Sequence, residues 1–362
     1  MTNGWTSVLR RSENVELLTV VVPARMVYLV IDRPMVAASI GRARVTKSTR
    51  DGKTGEDDVQ LGFLTAPFPD TPLGEVADWA SSVAFEILEI ACWPKAVGPT
   101  RRYAGTSHID VANLSASQAR EIVDEMADKK LAISGLGYYP NPLHPDPAHR
   151  QSVIDHLKKV IVAAGRMGLP VVNTFCGGDA SKHVDANWAE ALKVWPDIIA
   201  HARDNGVKLT FENCPMIFSY DEWPGGHNIA YSPYVWRRIL EAWGGDVGLN
   251  YDPSHLVWLM IDQARFIREF GPHILHMQAK DVMIDRDGLY ERGSISAGMG
   301  WQIPRMPGLG DVDWSVVFSA LYRAGYDGPI IIEHEDRKFE GSDELVKRGF
   351  LLARDVLRPY VK

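Results

Sequence analysis

From residue 59 onward, short apolar runs alternate with stretches of helical periodicity, and short turns separate them. This alternation is typical of repeated βα units, in which successive strands lie parallel and a helix connects each strand to the next. Eight such units suggest that the sheet closes into a barrel. The eight runs predicted as strands are Gln60 to Phe68, Glu86 to Trp93, Leu131 to Tyr138, Val171 to Phe175, Lys208 to Glu212, Val247 to Asp252, Ile274 to Lys280 and Ile330 to Glu333.

A doubly wound open sheet is the structural alternative, because it also alternates strands with helices. The chain has no G-x-G-x-x-G motif after its first strand and no P-loop. We therefore predict an α/β fold, a (β/α)8 TIM barrel over residues 58–362. The helical stretches predicted between its strands include Ala116 to Lys129, His149 to Met167 and Asn187 to Asn205.

Two regions do not follow this rhythm. The first 57 residues hold the apolar runs Leu17 to Pro23 and Met26 to Ile31, then a basic polar stretch. We predict an N-terminal extension over residues 1–57, and an added hairpin, an interface arm and a poorly ordered leader all remain open. Between the seventh and eighth strands, the Gly-, Met- and Pro-rich stretch Asp285 to Gly310 is long enough to serve as a lid.

Composition limits the partners of the chain. A net charge of −7 and a pI near 5.9 disfavour nucleic acid, which binds Lys and Arg, and favour a small-molecule substrate. The three cysteines lack C-x-x-C spacing and are expected to be reduced. No apolar stretch reaches the ~18 residues of a membrane helix and no signal peptide is recognisable, so a cytoplasmic protein without membrane contact is expected.

The fifth to eighth predicted strands end in polar residues that can bind a metal ion, namely Glu212, Asp252, Gln278 and Glu333. In a parallel barrel the C-terminal ends of the strands converge on one mouth, so these side chains are expected to meet. Three carboxylates, with Gln278 or His276 as the fourth ligand, suit Mn²⁺ or Mg²⁺ better than structural zinc. The sequence therefore predicts one divalent metal site at the mouth.

Side-chain alternation supports this prediction. His276, Gln278 and Lys280 share one face of their strand, and Asn250 shares a face with Asp252. If that face is the barrel interior, a lysine and a carboxylate are buried in an otherwise apolar core. Buried charges need an oppositely charged partner or a metal ion.

Each candidate also has a purely structural interpretation. A carboxylate at a strand end often caps the next helix, and Asp252 precedes a proline, which is also typical of a turn. His276 can be a hydrogen-bonded core histidine, and Trp93 can serve packing alone. His255 is expected at the same mouth as a substrate contact. His144 lies on a predicted mouth loop, where a surface histidine and a catalytic histidine look alike.

Six segments carry a family resemblance: Glu212-Asn213-Cys214-Pro215-Met216, Glu222-Trp223-Pro224-Gly225-Gly226, Asn250-Tyr251-Asp252-Pro253-Ser254-His255, the run His276 to Asp281, Pro307-Gly308-Leu309-Gly310-Asp311-Val312-Asp313-Trp314 and Ile332-Glu333-His334-Glu335-Asp336. They resemble the sugar phosphate isomerase/epimerase family, the xylose-isomerase-like TIM barrels, from about residue 59 to the C-terminus. This family includes ketose 3-epimerases, hydroxypyruvate isomerase and inosose dehydratase. The resemblance implies one divalent ion held by Glu212, Asp252, Gln278 and Glu333.

Two positions depart from the family pattern. The family usually has H-x-H before the Lys-Asp pair, whereas the second position here is Gln278, as in hydroxypyruvate isomerases. A neutral amide is a weaker ligand and moves the preference toward Mn²⁺ or Mg²⁺ and away from Zn²⁺. Close relatives also carry an arginine where this chain has Gly178. Since Arg is the usual bidentate phosphate clamp, its absence argues against a phosphorylated substrate.

A site of this kind favours a sugar isomerase or epimerase that acts on a keto-sugar. A bound cation polarises the carbonyl and adjacent hydroxyl, and a base removes the proton between them to give a metal-stabilised enediolate. Glu212 and Glu333, from strands five and eight, are the predicted catalytic base and acid. The predicted substrate-binding residues are His255, His276, Lys280 and Trp93.

Other functions remain open. The barrel also resembles the large subunits of C-glycoside deglycosidases, lyases in which a histidine assists departure of the aglycone from a 3-keto-glycoside, and His144 or His255 is the candidate. A small partner subunit would favour that alternative, and a homo-oligomer is also open. An endonuclease IV-like repair enzyme needs a histidine after the seventh strand, where Val282 to Asp287 contains none. A sugar-binding protein without catalysis is the last alternative.

Overall fold

The computed structural model describes residues 59–95, 104–217, 226–296 and 300–361, together with the backbone of residues 6–12, 15–22 and 25–31. Contacts divide the chain into two units, Met1–Thr54 and Gly55–Lys362. The predicted basic stretch before residue 54 and the motif Glu222-Trp223-Pro224-Gly225 lie outside the described residues.

The first unit contains three antiparallel strands, β1 (Thr6–Ser12), β2 (Val15–Val22) and β3 (Arg25–Ile31). The central strand β2 pairs with β1 on one side and with β3 on the other. The runs are rich in Val, with Thr and Ile, and this β-branched composition favours such strands. Of the alternatives left open for the extension, the described strands form hairpins, and the domain boundary at residue 57 stays a prediction.

The second unit contains a closed barrel of eight parallel strands, which confirms the predicted (β/α)8 TIM barrel. The barrel strands follow chain order, and the last pairs with the first to close the ring. All eight predicted strands are present, several ending earlier than expected. The strands are β4 (Leu61–Leu64), β5 (Ile87–Ala91), β6 (Ala132–Gly137), β7 (Val171–Thr174), β8 (Lys208–Glu212), β9 (Val247–Tyr251), β10 (Ile274–Ala279), the separate antiparallel pair β11 (Asp281–Ile284) and β12 (Gln302–Arg305), and β13 (Ile330–Ile332).

Helices cover the outside of the barrel, and several begin and end on residues suited to those positions. Ser115 and Gln118 form a capping box at the start of one helix, and Gly168 ends another with a φ of 70°. None of the helices in the described ranges is long and apolar enough to cross a membrane. The helices are α1 (Leu73–Ser82), α2 (Ala116–Asp128), α3 (Pro147–Met167), α4 (Val184–Asp204), α5 (Pro233–Trp243), α6 (Pro253–Trp258), α7 (Gln263–Phe270), α8 (Arg286–Arg292), α9 (Trp314–Ala324) and α10 (Asp343–Leu357).

The insertion between β10 and β13 is a hairpin anchored at its base. The buried Asp281 carboxylate accepts hydrogen bonds from the Gly308 amide at 2.9 Å and from the Trp314 indole at 3.0 Å. At the other end, the buried Asp336 pairs with Arg305 at 3.2 Å. These two carboxylates hold β11 and β12 against the mouth of the barrel.

Candidate metal centre

Three carboxylates meet at the C-terminal mouth of the barrel. Glu212 is the last residue of β8, Asp252 directly follows β9 and Glu333 directly follows β13. One oxygen of each lies within 4.8 Å of an oxygen of the other two. The parallel strands bring these ends together as the barrel geometry requires. Three of the four residues predicted as metal ligands are therefore adjacent.

The fourth, Gln278, presents an oxygen that lacks a partner. Its Nε2 donates to Tyr139 Oη at 2.8 Å and to Glu89 Oε2 at 3.2 Å. Its Oε1 is buried and has no hydrogen-bond partner in the described part of the chain, and Asp252 Oδ2, equally buried, lies against only the Lys280 ammonium and His255 Nε2. Buried polar atoms are nearly always partnered, so such oxygens indicate a missing ligand. Oxygens that only accept fit a hard divalent cation, which agrees with the predicted donor set.

Lys280 supplies positive charge to this centre. Its Nζ lies 2.7 Å from Glu333 Oε2, 3.0 Å from Asp252 Oδ2 and 3.2 Å from Glu335 Oε2. Lys280 and Asp252 attract each other as opposite charges, but their geometry is not that of a hydrogen bond, so Asp252 Oδ2 accepts no hydrogen bond from Lys280. With Glu212 included, four carboxylates face this ammonium. The excess of negative charge is what a divalent cation would offset.

The pKa shifts reflect the same crowding of charge. Burial raises the pKa of Glu212 and raises that of Glu333 well above its usual range. Burial also opposes ionisation of Asp252, but Lys280, His255 and the hydrogen bond from Ser254 together outweigh it and lower the pKa of Asp252. Burial alone would lower the pKa of Lys280, yet Asp252 and Glu333 raise it well above its usual range. Lys280 therefore stays charged.

Asp252 combines the structural and functional interpretations. Its Oδ1 accepts a hydrogen bond from the Ser254 amide at 2.8 Å and caps α6, while Oδ2 faces Lys280. The backbone of Asp252 exchanges two hydrogen bonds of 2.7 Å with the side chain of Asn213. Asn228 similarly donates to the Glu212 carbonyl at 3.0 Å. The sequence analysis missed Asn213 and Asn228, which hold the ligand-bearing backbone.

His255 lies against the carboxylates. Its Nε2 is 3.1 Å from Asp252 Oδ2 and 3.4 Å from Glu212 Oε1. Its Nδ1 lies 3.3 Å from the indole nitrogen of Trp258. Because an indole N–H only donates, Nδ1 accepts this bond, and a proton is assigned to Nε2, which faces the carboxylates. Substrate contact by His255 stays a prediction that this position favours.

His276 lies two residues before Gln278 on the same face of β10, deeper in the barrel, and is fully buried. Its Nδ1 is 2.9 Å from Asn250 Oδ1, and its Nε2 is 3.0 Å from Ser134 Oγ. Burial lowers the pKa of His276 to about 3, so the ring is neutral. These are the contacts of a hydrogen-bonded core histidine, and the predicted contact of His276 with substrate has no support in them.

His144 and Trp93 occupy the mouth through local contacts. His144 lies in the loop between β6 and α3, its ring 4.4 Å from the ring of His149 and its Nδ1 3.1 Å from the Asp146 amide. The Trp93 ring packs 5.8 Å from the ring of Tyr139. The catalytic role of His144 and the substrate contact of Trp93 both stay predictions.

A cavity of about 140 Å³ opens beside Lys280 and His255. The insertion forms one of its walls, and Trp301 of the insertion packs edge-on against Trp258, with ring centroids 6.2 Å apart. The predicted lid is thus a hairpin wall, and its movement stays a prediction. The apolar residues that line the cavity are Pro215, Met216, Ile217, Trp258, Val282 and Pro304.

Two further buried or half-buried carboxylates escaped the sequence analysis. Glu335 pairs with Lys280, and Glu89 of β5 is fully buried inside the barrel. Burial raises the pKa of Glu89 to about 7. An acidic residue inside the apolar run Ile87 to Cys92 is the signal that identifies Glu89.

Comparison with known proteins agrees with this geometry. A family profile described as "Xylose isomerase-like TIM barrel" matches residues 77–356. The uncharacterized protein YfiH of Bacillus subtilis (strain 168) is 26% identical over 314 residues, which cover 77% of this chain and 93% of the relative.

Solved structures share the fold at low sequence identity. A D-psicose 3-epimerase, solved in the presence of D-fructose, has a TM-score of 0.59 and 15% identity over 83% of this chain and 99% of that one. The probable 3-DHS dehydratase of Bacillus anthracis has a TM-score of 0.60 and 14% identity over 83% and 99% of the two chains. With the profile covering most of the barrel, the chain belongs to the xylose isomerase-like TIM barrel family.

Proposed function

We propose that this chain is a divalent-metal-dependent sugar isomerase or epimerase that acts on a keto-sugar. The observation that carries the proposal is the meeting of Glu212, Asp252 and Glu333 oxygens within 4.8 Å of one another. The unpartnered Oε1 of Gln278 supplies the fourth ligand. Membership of the family and the likeness to an epimerase support the reaction class.

When bound by these four residues, Mn²⁺ or Mg²⁺ supplies a Lewis acid that polarises the carbonyl and neighbouring hydroxyl of the sugar. We assign Glu212 and Glu333 to remove and return the proton on the carbon between those groups. Lys280 and His255 donate hydrogen bonds to sugar oxygens at the same mouth. Return of the proton to the opposite face gives an epimer, and return to the neighbouring carbon gives an isomer.

A substrate without phosphate fits the mouth better. A Cβ added at Gly178 would lie 3.2 Å from Ile229 Cγ2 and 3.4 Å from the Gly226 carbonyl oxygen. Only the Ile229 contact is tighter than ordinary van der Waals contact, and the glycine at this position leaves the mouth without the arginine that would clamp a phosphate there.

A second candidate is a lyase that eliminates the aglycone from a 3-keto-glycoside. The apolar wall beside His255, which includes Trp258 and Met216, favours it because an aromatic leaving group would pack there. The proton removed is the same in both reactions. They differ in whether a group leaves from the next carbon.

The test is to incubate the Mn²⁺-loaded protein in D₂O with a panel of ketoses and 3-keto-glycosides. Deuterium uptake beside the carbonyl without aglycone release is the expected result for an isomerase or epimerase. Release of the aglycone would identify the lyase instead. Neither uptake nor release with any sugar of the panel would contradict the proposal.

His144→Ala sharpens this choice, with His149→Ala as the matched control on the adjacent ring. We expect less than a tenfold change in deuterium exchange, because the contacts of His144 are local. An acid for a leaving group contributes about 10²- to 10⁴-fold, so a loss of that size in aglycone release, specific to His144→Ala, would favour the lyase.

A further inference from the structure

We infer that Glu89 and Tyr139 form a positioning pair that orients the side-chain amide of Gln278, so that Oε1 is presented to the metal. This inference rests on the proposed metal site. It concerns a residue that stands where the family resemblance expects a histidine.

The hydrogen bonds around Gln278 run in one direction. Gln278 Nε2 donates to Glu89 Oε2 at 3.2 Å and to Tyr139 Oη at 2.8 Å. The Tyr139 hydroxyl donates in turn to Glu89 Oε1, so its oxygen is left to accept. Asn250 Nδ2 also donates to that oxygen, at 3.2 Å. Both donors of the Gln278 amide are therefore engaged by acceptors of the pair.

This arrangement selects one orientation of the amide. With Glu89 ionised, an amide that turned over would face its oxygen toward the Glu89 carboxylate and toward a hydroxyl whose hydrogen is already used. Both hydrogen bonds would be lost in a buried site, where unpartnered groups are costly. The observed orientation leaves Gln278 Oε1 turned away from the pair, buried and without a partner in the ranges that the structure describes.

A glycine on the neighbouring strand makes room for the pair. Gly137 of β6 pairs with Ala91 of β5. A Cβ added at Gly137 would lie 2.6 Å from Glu89 Oε1 and 3.0 Å from the ring of Tyr139. Both side chains would then have to shift, so the missing side chain at this position belongs to the same arrangement.

An amide ligand needs such a pair because its two ends differ. One end binds a cation and the other repels it, and nothing in the amide itself chooses between them. Groups behind a ligand commonly fix its orientation, and their loss typically weakens metal binding about 10- to 100-fold. Glu89 and Gln278 therefore act as a unit, although 189 positions separate them in the chain.

The experiment titrates the full-length protein with Mn²⁺ and measures free Mn²⁺ by electron paramagnetic resonance. We expect Glu89→Gln to weaken binding about 10- to 100-fold, because an amide at position 89 can present either end to Gln278. In a Gln278→Ala background, Glu89→Gln should cause no further loss. Ser134→Ala, which removes a buried hydroxyl that contacts His276, is the control expected to bind as the wild type does.

The Gln278→Ala background separates orientation from charge. If Glu89 acted only through its negative charge, Glu89→Gln would weaken binding equally in both backgrounds, and that result would overturn the inference. Binding of Glu89→Gln within twofold of wild type would also overturn it, while leaving the proposed metal site intact. If the wild-type protein bound no Mn²⁺, both the inference and the proposed metal site would be contradicted. Tyr139→Phe, which keeps the ring, provides the same comparison if Glu89→Gln does not fold.

Discussion

Two layers of polar side chains inside the same barrel differ in how their atoms are partnered. In the deeper layer, His276 bonds to Asn250 and Ser134. Two residues further along the same strands, Gln278 Oε1 and Asp252 Oδ2 are equally buried and lack a hydrogen-bond partner within the described ranges. Burial of a polar group therefore does not distinguish a binding site from a structural network. Unpartnered atoms that lie beside converging carboxylates at the barrel mouth are the stronger indication.

The largest expected effect follows a change in the mouth layer, which consists of Glu212, Asp252, Gln278 and Glu333. Glu333→Gln should lower the rate of deuterium exchange about 10²- to 10⁴-fold, since it removes both a metal ligand and a proton-transfer group. The free energy of unfolding of the metal-free variant must be measured beside it, because Glu333 also pairs with Lys280 at 2.7 Å. The exchange assay and urea unfolding measure the two quantities. Glu335→Gln, which touches Lys280 from outside the ligand set, is the control and should lose less than tenfold.

A bound metal ion should give the oxygens of the mouth layer a partner and thereby stabilise the fold. At a free Mn²⁺ concentration one hundred times Kd, the free energy of unfolding should rise by about 2.7 kcal/mol. Asp252→Asn should abolish that gain while retaining the cap of α6. Urea unfolding with Mn²⁺ and with a chelator tests this. Equal stability in both conditions for the wild type would contradict the comparison between the layers.

The deeper layer should respond in the opposite way. His276→Leu leaves Asn250 Oδ1 and Ser134 without their partner and should lower the free energy of unfolding by about 1–3 kcal/mol. Its Mn²⁺ affinity should stay close to wild type. If His276→Leu were as stable as the wild type, the closed network would not be a stabilising feature.

The smallest expected effect concerns a partnered histidine near the start of the barrel. His108 contacts Thr65 Oγ1 at 2.9 Å and the Phe68 carbonyl at 3.1 Å, and burial lowers its pKa. Below about pH 6.5 the unfolded chain binds a proton that the folded protein does not, so stability falls as the pH falls. The slope contributed is at most about 1.4 kcal/mol per pH unit. His108→Gln should reduce the slope, and an unchanged slope would show that the ring titrates freely in the fold.

The barrel was predictable because its signals are local. Apolar runs, helical periodicity and turns lie within short windows of sequence, and they identify all eight barrel strands. The prediction extended the first strand to Phe68, whereas β4 ends at Leu64 and Phe68 packs against Trp79 from the following loop. The β11–β12 hairpin was not predicted, since its pairing joins residues about twenty positions apart across a glycine-rich stretch.

The sequence could predict a site residue only where its position at the end of a strand determines that it reaches the mouth. Glu212, Asp252 and Glu333 follow from the convergence of strand ends. Glu89 does not, because its contact with Gln278 depends on how two strands on different sides of the barrel are aligned. The plain structural interpretations of Asp252 and His276 also have support, since one caps a helix and the other bonds within the core.

The anchored base of the insertion has a consequence for how substrate choice can change. Asp281 follows Lys280 directly and holds the base of the hairpin through Gly308 and Trp314. Changes on the hairpin strands, such as at Gln302 and Pro304, can therefore reshape the wall of the cavity while Lys280 keeps its place among the carboxylates. The hairpin can thus vary as a unit without disturbing the carboxylates beneath it.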